Sequence, residues 1–393
     1  MAIEMIEDGT QIKVIGVGGG GGNAVNHMIA CNVQGVDYIC ANTDAQALSH
    51  TKAGTIIQLS DSGLGAGGKP EKGREAAEAA ADEIRQALRG AHMVFITAGM
   101  GGGTGTGAAP VVARIAKDMG VLTVAVVTKP FGWEGSRRMN YAEAGLEELE
   151  ANVDSLVVVL NQKLREVLDP DITQAEAFAQ VDNVLRNAVG GIAEVINGYG
   201  QVNVDFEDVR TVMSEPGRAM MGTATASGPD RARIAAEQAI ACPLLEGIDL
   251  SSVRGVLVLV TAASGSLKMR ESEEATNIVS AYAAPDAHII YGASYDDGMG
   301  DDLRVTVVAT GLSRIQQQRQ SLSVVQGGLR TGTDNLTLND TSAQSAASGG
   351  TYTTPRVWSG RGDRSSASGR MGGLSAGGMD EVDIPAFLRR QAD

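Results

Sequence analysis

The sequence predicts an α/β fold: a parallel sheet covered by helices, joined by a central helix to a smaller α+β domain with a mixed sheet. Three observations carry the prediction. Short β-branched runs alternate with helical patterns, three glycine-rich stretches follow strand ends, and one long helical pattern separates two regions of different rhythm.

Taken in order, KVIGVG (13–18), DYICANT (37–43), MVFITAG (93–99), LTVAVVT (122–128) and SLVVVLN (155–161) are nearly continuous apolar runs. Strands buried on both faces of a parallel sheet read this way. Helical segments such as EKGREAAEAAADEIRQALRG (71–90) supply the cover, so residues 11–175 read as a doubly wound domain behind a flexible N-terminus at 1–10. ITQAEAFAQVDNVLRNAVGGIAEVIN runs as a helix from Ile172 to Asn197, broken by Gly198 and Gly200, so 172–204 reads as a helix and loop that bridge two domains. A new helix starts near Asp205. Beyond it a helix (230–241), GVLVLVTA (255–262), a helix (271–283), HIIYGAS (288–294) and LRVTVVATG (303–311) make residues 205–315 the smaller α+β domain. Residues 316–379 contain no Lys or Glu and little that could form a core, which predicts a flexible tether. The chain closes on DEVDIPAFLRRQAD (380–393), whose Ile384, Pro385, Phe387 and Leu388 suggest a docking peptide; a disordered terminus is the alternative.

Composition narrows the function. The chain has 393 residues, 43% of them hydrophobic, enough for two ordinary domains with sizeable cores. A formal net charge of −15 argues against nucleic acid as the main partner, since phosphate backbones are neutralised by clustered Lys and Arg. An acidic protein that grips phosphates must use backbone amides. MAIEMIEDGTQ lacks a basic stretch followed by an apolar one, and no apolar run approaches the ~20 residues of a membrane span, so the expectation is a cytoplasmic protein without membrane insertion. Cys31, Cys40 and Cys242 show no C-x-x-C spacing and read as small buried hydrophobes in a reducing compartment, with no support for metal binding.

VGGGGGNAV (17–25), GLGAGGKPEKG (63–73) and GMGGGTGTG (99–107) belong to the edge of the sheet where ligands bind. Glycine admits positive φ and lets successive N–H groups converge on an anion, and Thr104 and Thr106 add hydroxyls at a helix N-terminus. Each stretch alone could be a tight turn; three at one edge could wrap a di- or triphosphate. The P-loop pattern G-x-x-x-x-G-K-[ST] is absent, and a dinucleotide fingerprint does not require the later glycine loops.

These loops, with ANTDAQAL, TKPFGWEGSRR, VNVDFEDVRTVM and the terminal DIPAFLRRQAD, closely resemble the FtsZ family, the bacterial tubulin homologues that build the division ring. The resemblance covers nearly the whole chain apart from the tether. It implies a tubulin/FtsZ-like fold and a GTPase that polymerises head to tail, with the pocket of one subunit completed by a loop of the next. GTP/GDP would be bound, with Mg²⁺ held through the phosphates. By resemblance Gly19, Gly20, Gly21, Gly22 and Asn23 would hold phosphates, and Ala41, Asn42, Thr43 and Asp44 would lie near the nucleotide. Gly67 and Gly68 would sense the γ-phosphate. Gly101, Gly102, Gly103, Thr104, Gly105, Thr106 and Gly107 would form the phosphate cradle. Glu134 and Arg138 would reach the ribose, and Asn161 and Asn183 would complete the site. Four residues apart, Glu134 and Arg138 also fit a plain surface ion pair.

Asp205 and Asp208 share one face at a helix start, with Asn203 just ahead. Physics alone favours capping and dipole roles for them. The resemblance implies instead that Asn203, Asp205 and Asp208 orient the attacking water from the adjacent subunit, a mechanism of positioning and electrostatics. The partners implied are further copies of the chain and the membrane tether FtsA, reached through 380–393, with ZipA and the Min-system inhibitor as further possibilities. The location implied is the mid-cell division site.

The chain reads Asp182-Asn183-Val184-Leu185 where the family usually has Asn-Asp-Val-Leu. A carboxylate accepts from both donors of a guanine edge and an amide does not, so Asn183 leaves one group unpaired, at ~1–3 kcal/mol or about tenfold or more in affinity. Asp182, ~100° round the helix, is not expected to replace it. VLNQKL (159–164) and NGYGQVN (197–203) also depart from the family pattern. Weak GTP binding or slow hydrolysis is therefore the expectation, and a nucleotide-binding scaffold filament with impaired hydrolysis is the alternative function. A dinucleotide-dependent oxidoreductase is a distant third.

Overall fold

The computed structural model describes residues 9–197, 204–215, 217–245 and 253–312. Residues 1–8, Asn203, the tether and the 380–393 peptide lie outside the described residues.

The first region alternates strand and helix. Its strands are β1 (Ile12–Val17), β2 (Asp37–Asn42), β3 (Thr55–Gln58), β4 (Met93–Gly99), β5 (Leu122–Lys129) and β6 (Ser155–Leu160). Its helices are α1 (Gly18–Ala30), α2 (Ala45–Ser49), α3 (Pro70–Ala79), α4 (Ala81–Leu88), α5 (Thr104–Asp118), α6 (Ser136–Asn152) and α7 (Asn161–Val167). The central helix α8 spans Gln174–Asn197 and α9 spans Phe206–Met213. The second region holds β7 (Arg218–Ala226), α10 (Arg231–Ile240), β8 (Gly255–Ala262), α11 (Met269–Tyr282), β9 (His288–Tyr295) and β10 (Leu303–Leu312).

The ten strands of the described residues form one sheet, in the order β3-β2-β1-β4-β5-β6-β7-β10-β8-β9. Pairing is parallel from β3 through β7, antiparallel where β10 meets β7 and β8, and parallel again from β8 to β9. The parallel part and the mixed part are therefore continuous, joined at β6–β7 by Leu156 opposite Arg218 and Val157 opposite Ala219. Strands β1, β4, β5 and β6 are buried almost throughout, as their continuous apolar sequences require. One core cluster lies between the sheet and α1 and α8, a second under α3 to α6, and a third under α10 and α11.

Three local differences from the sequence reading have simple causes. The 71–90 pattern is two helices, because Ala80 leaves helical geometry at φ −91°, ψ 16°. β3 is a four-residue edge strand, and β7 (RAMMGTATA) is half-buried and rich in small residues, so neither carries a strong period. The cysteines are not uniformly buried: Cys40 is, Cys242 is half-buried and Cys31 is exposed.

Candidate functional site

The parallel strands end at a cavity of about 310 Å³ lined by the first and third glycine loops, the 130–138 segment, Asn161 and one face of α8. Glycine builds it by allowing backbones to touch. Gly18 has φ 74°, and a Cβ there would stand 2.8 Å from Gly105 N; a Cβ on Gly21 would stand 2.3 Å from Thr97 O. Only bare backbone lets α1 and α5 start side by side.

No side chain caps α1 or α5, and neither has an acidic residue in its first turn. Two helix N-termini thus present uncapped N–H groups and their positive dipole ends to the cavity, through Gly19, Gly20 and Asn23 on one side and Gly102, Gly103, Thr104 and Gly105 on the other. The hydroxyls of Thr104 and Thr43 lie 2.6 Å apart, tying the second strand's loop to the third glycine loop. Gly103 brings in the remaining loop: a Cβ there would meet Lys69 N at 2.9 Å and Gly68 N at 3.2 Å. Gly67 and Gly68, at φ 60° and 69°, stand beside it in open space.

Other sequence candidates play supporting parts. Thr106 is buried and accepts a hydrogen bond from Gly101 N at 2.8 Å, so its hydroxyl braces the loop from inside. Gly21 packs on β4, Gly101 on α6 and Gly107 on the start of α3. Asp44 caps α2, accepting from the N–H groups of Gln46 and Ala47. Gly22, Ala41 and Asn42 line a smaller cavity of about 160 Å³ that shares Gly19 and Asn23 with the main one.

At the other end of the cavity Glu134 and Arg138 pair at 2.7 Å, with Glu134 largely buried and also accepting from Phe131 N. Asn161 is 3% exposed and its Oδ1 has no partner. A buried acceptor left open at a cavity wall is a place for a ligand donor. Phe178, Val181, Asp182 and Leu185 complete the wall, spaced i, i+3, i+4, i+7 on one helical stripe.

Here the structure corrects the sequence reading. Asn183 points away from the cavity, its Oδ1 accepting from His27 Nε2 at 2.7 Å. Asp182 faces in, with no distortion of α8, because the stripe that packs on the site is set by Phe178 and Leu185 rather than by residue 183. Burial pushes the Asp182 carboxyl up to about 6, partly offset by nearby His27. Asp182 and Phe178 line the cavity and are not among the residues the sequence reading selects; the i, i+4 stripe of aromatic and carboxylate is the available signal.

Asp205 and Asp208 lie at the opposite edge. Asp205 caps α9 by accepting from Asp208 N at 2.8 Å, and both side chains are exposed. The ring of the next residue, Phe206, packs on His92 at 6.2 Å, just before β4, whose far end Gly99 lines the cavity. β4 alone makes that separation ~20 Å. Likewise α8 leaves the cavity after Leu185 and reaches the far edge at Asn197, whose side chain donates to Gly35 O ahead of β2.

Comparison with known proteins fits this arrangement. Residues 11–169 match the model of the Tubulin/FtsZ family, GTPase domain, and residues 217–313 match that of the FtsZ family, C-terminal domain. The cell division protein FtsZ of Coxiella burnetii is 56% identical over 305 residues, 77% of this chain and 79% of that protein. FtsZ of Pseudomonas aeruginosa is 48% identical over 394 residues, 100% of this chain and 99% of that protein. Among solved structures, an empty FtsZ dimer from M. jannaschii superposes with a TM-score of 0.75 at 43% identity, covering 78% of this chain and 89% of that one.

Proposed function

This chain belongs to the Tubulin/FtsZ family, and from that premise we propose that it is a GTPase that assembles head to tail into filaments, a scaffold for cell division, hydrolysing GTP at the junction between copies. One observation carries the reading: the cavity and the acidic start of α9 lie at opposite edges of one chain, ~20 Å apart. They meet only when the acidic edge of one copy covers the cavity of the next, a heterologous contact that extends without closing.

In the cavity the N-termini of α1 and α5 bind the phosphates, Glu134 and Arg138 face the ribose, Phe178 packs on the base, and the Asp182 carboxylate with Asn161 Oδ1 reads its donors. With Asp182 facing the cavity, the alternative of a filament with impaired hydrolysis loses the part of its premise that rested on Asn183. The neighbouring copy's Asp208 and Asp205, with Asn203, orient water toward the γ-phosphate. Mg²⁺ would be held through the phosphates and would offset their charge.

An exposed apolar residue suits such a contact: Leu64, 87% exposed, projects from the loop beside the cavity. Residues 380–393 recruit FtsA and so place the filament on the membrane at mid-cell.

Phosphate release measured per subunit against protein concentration tests the reading. A threshold concentration is the expected result, and a constant rate per subunit overturns it. Deleting 380–393 is expected to abolish FtsA recruitment and mid-cell localisation while leaving the threshold unchanged.

A further inference from the structure

The stretch VLNQKL (159–164) carries two amide side chains in succession, and they open α7. Asn161, the first, lines the cavity with its Oδ1 open. Gln162, the second, lies ~100° further round the helix and meets the 130–138 segment instead. Its Oε1 accepts from Gly132 N at 3.2 Å.

That segment begins with a short 3₁₀ turn, Gly132–Glu134, folded on itself. Phe131 N donates to Glu134 Oε1 at 2.8 Å, and Glu134 N donates to Phe131 O at 3.0 Å. Glu134 Oε2 pairs with Arg138 at 2.7 Å. Both carboxylate oxygens are engaged in this way, so Glu134 and Arg138 follow the orientation of the turn. The ring of Phe131 packs edge-on to Phe178, centroids 5.5 Å apart, on the cavity wall. A ring contact sets a distance and leaves rotation soft, whereas a hydrogen bond also sets a direction. The bond from Gly132 N to Gln162 supplies that direction. Bare Gly132 lets the amide lie against it: a Cβ there would stand 3.3 Å from Gln162 Oε1.

We propose that Gln162 is a positioning residue for ribose recognition: by holding Gly132 N it orients the turn that carries Glu134 and Arg138 toward the sugar. The proposal rests on the assignment of Glu134 and Arg138 to the ribose made above. Adjacent amides of α7 then serve the two halves of one nucleoside, Asn161 the base directly and Gln162 the ribose through the turn. Gln162 and Gly132 are both exposed, so losing their bond strands no buried group and costs the fold little. Binding and stability are therefore separable here.

The test is Gln162→Met in the full chain, which keeps the reach of the side chain and removes the acceptor. GTP binding to the dilute monomer and the thermal midpoint are the readouts. We expect affinity to fall about three- to fivefold at an unchanged midpoint, and Gln162→Glu, which keeps an acceptor, to restore it. Gly132→Pro removes the donor from the other side. The backbone accepts it, because Gly132 opens the turn and Phe131 before it is extended at φ −65°, ψ 150°. It should cost as much as Gln162→Met, and the two together no more than either alone. Coupling to Glu134 separates positioning from a structural role: beside Glu134→Ala, Gln162→Met should cost less than about twofold further, whereas beside Asp182→Asn its full loss should remain. Affinity within about twofold of wild type in Gln162→Met, or the full loss persisting beside Glu134→Ala, overturns the proposal and leaves the ribose assignment standing. Unchanged GTP affinity in Glu134→Ala overturns both. If Gln162→Met lowers the midpoint, Gly132→Pro decides by the same readouts.

Discussion

His27 Nε2 lies 2.7 Å from Asn183 Oδ1, joining the helix that begins at the first glycine loop to the central helix. Asn183 Nδ2 donates to Gln180 Oε1 at 3.4 Å, which fixes the amide so that Oδ1 is the acceptor and His27 the donor. The bond ties α8 to α1 and reinforces the inward face of Asp182 that the packing of Phe178 and Leu185 sets. A neutral hydrogen bond contributes ~1 kcal/mol, so His27→Ala should weaken GTP binding about fivefold, as read by titration of the dilute monomer. His27→Gln, which keeps a donor, should recover most of the loss.

Asp182 gives a pH dependence with a defined sign. Its carboxyl is pushed up to about 6 by burial, and only the ionised form accepts from two guanine donors. GTP affinity should therefore fall as pH drops below 6, by roughly tenfold per pH unit at the limit. Asp182→Asn should bind about 10- to 100-fold more weakly at pH 7 and lose this dependence. Stability of the ligand-free chain moves the other way. A folded value above the unfolded one means the Asp182 contribution is present below about pH 4 and lost as pH rises through about 6. Thermal midpoints without nucleotide, compared between wild type and Asp182→Asn, check that sign.

Asp208→Ala should lower kcat for phosphate release on the order of 10²-fold or more and leave GTP binding to the monomer unchanged. Mixing separates the two edges. Asp208→Ala keeps a sound cavity, Asp182→Asn keeps a sound acidic edge, and in an equal mixture about a quarter of junctions combine them. Activity above the sum of the separate variants is the expected result, and simple additivity would place hydrolysis within one chain.

The glycines divide into those that bind and those that pack. Gly21→Ala puts a Cβ 2.3 Å from Thr97 O and should lower the thermal midpoint by several degrees along with GTP binding. Gly19→Ala meets nothing within 4 Å and should fold normally, with any loss confined to nucleotide affinity. Thr106→Val removes the acceptor for buried Gly101 N and should cost ~1–3 kcal/mol of stability, readable in denaturant melts, whereas Thr104→Val should act on GTP binding.

Much of the molecule is written locally and was legible in the sequence. Continuous apolar runs such as MVFITAG and LTVAVVT demand a sheet covered on both faces, and glycine stretches at strand ends demand turns of bare backbone. Those are short-range properties, fixed by side chains within a few residues of one another, and together they determined the α/β fold, the phosphate loops and the family resemblance. What the sequence left undecided is which way each group faces once helices dock. Residues 182 and 183 differ by ~100° on α8, and only the packing of Phe178 and Leu185 against the site turned Asp182 in and gave Asn183 to His27. The inward turn of Thr106 and the continuity of the two regions through β6 and β7 are decisions of the same kind. So is the placing of Asp208 at the edge opposite the cavity, because contacts between residues distant in the chain are set by the docking of whole elements.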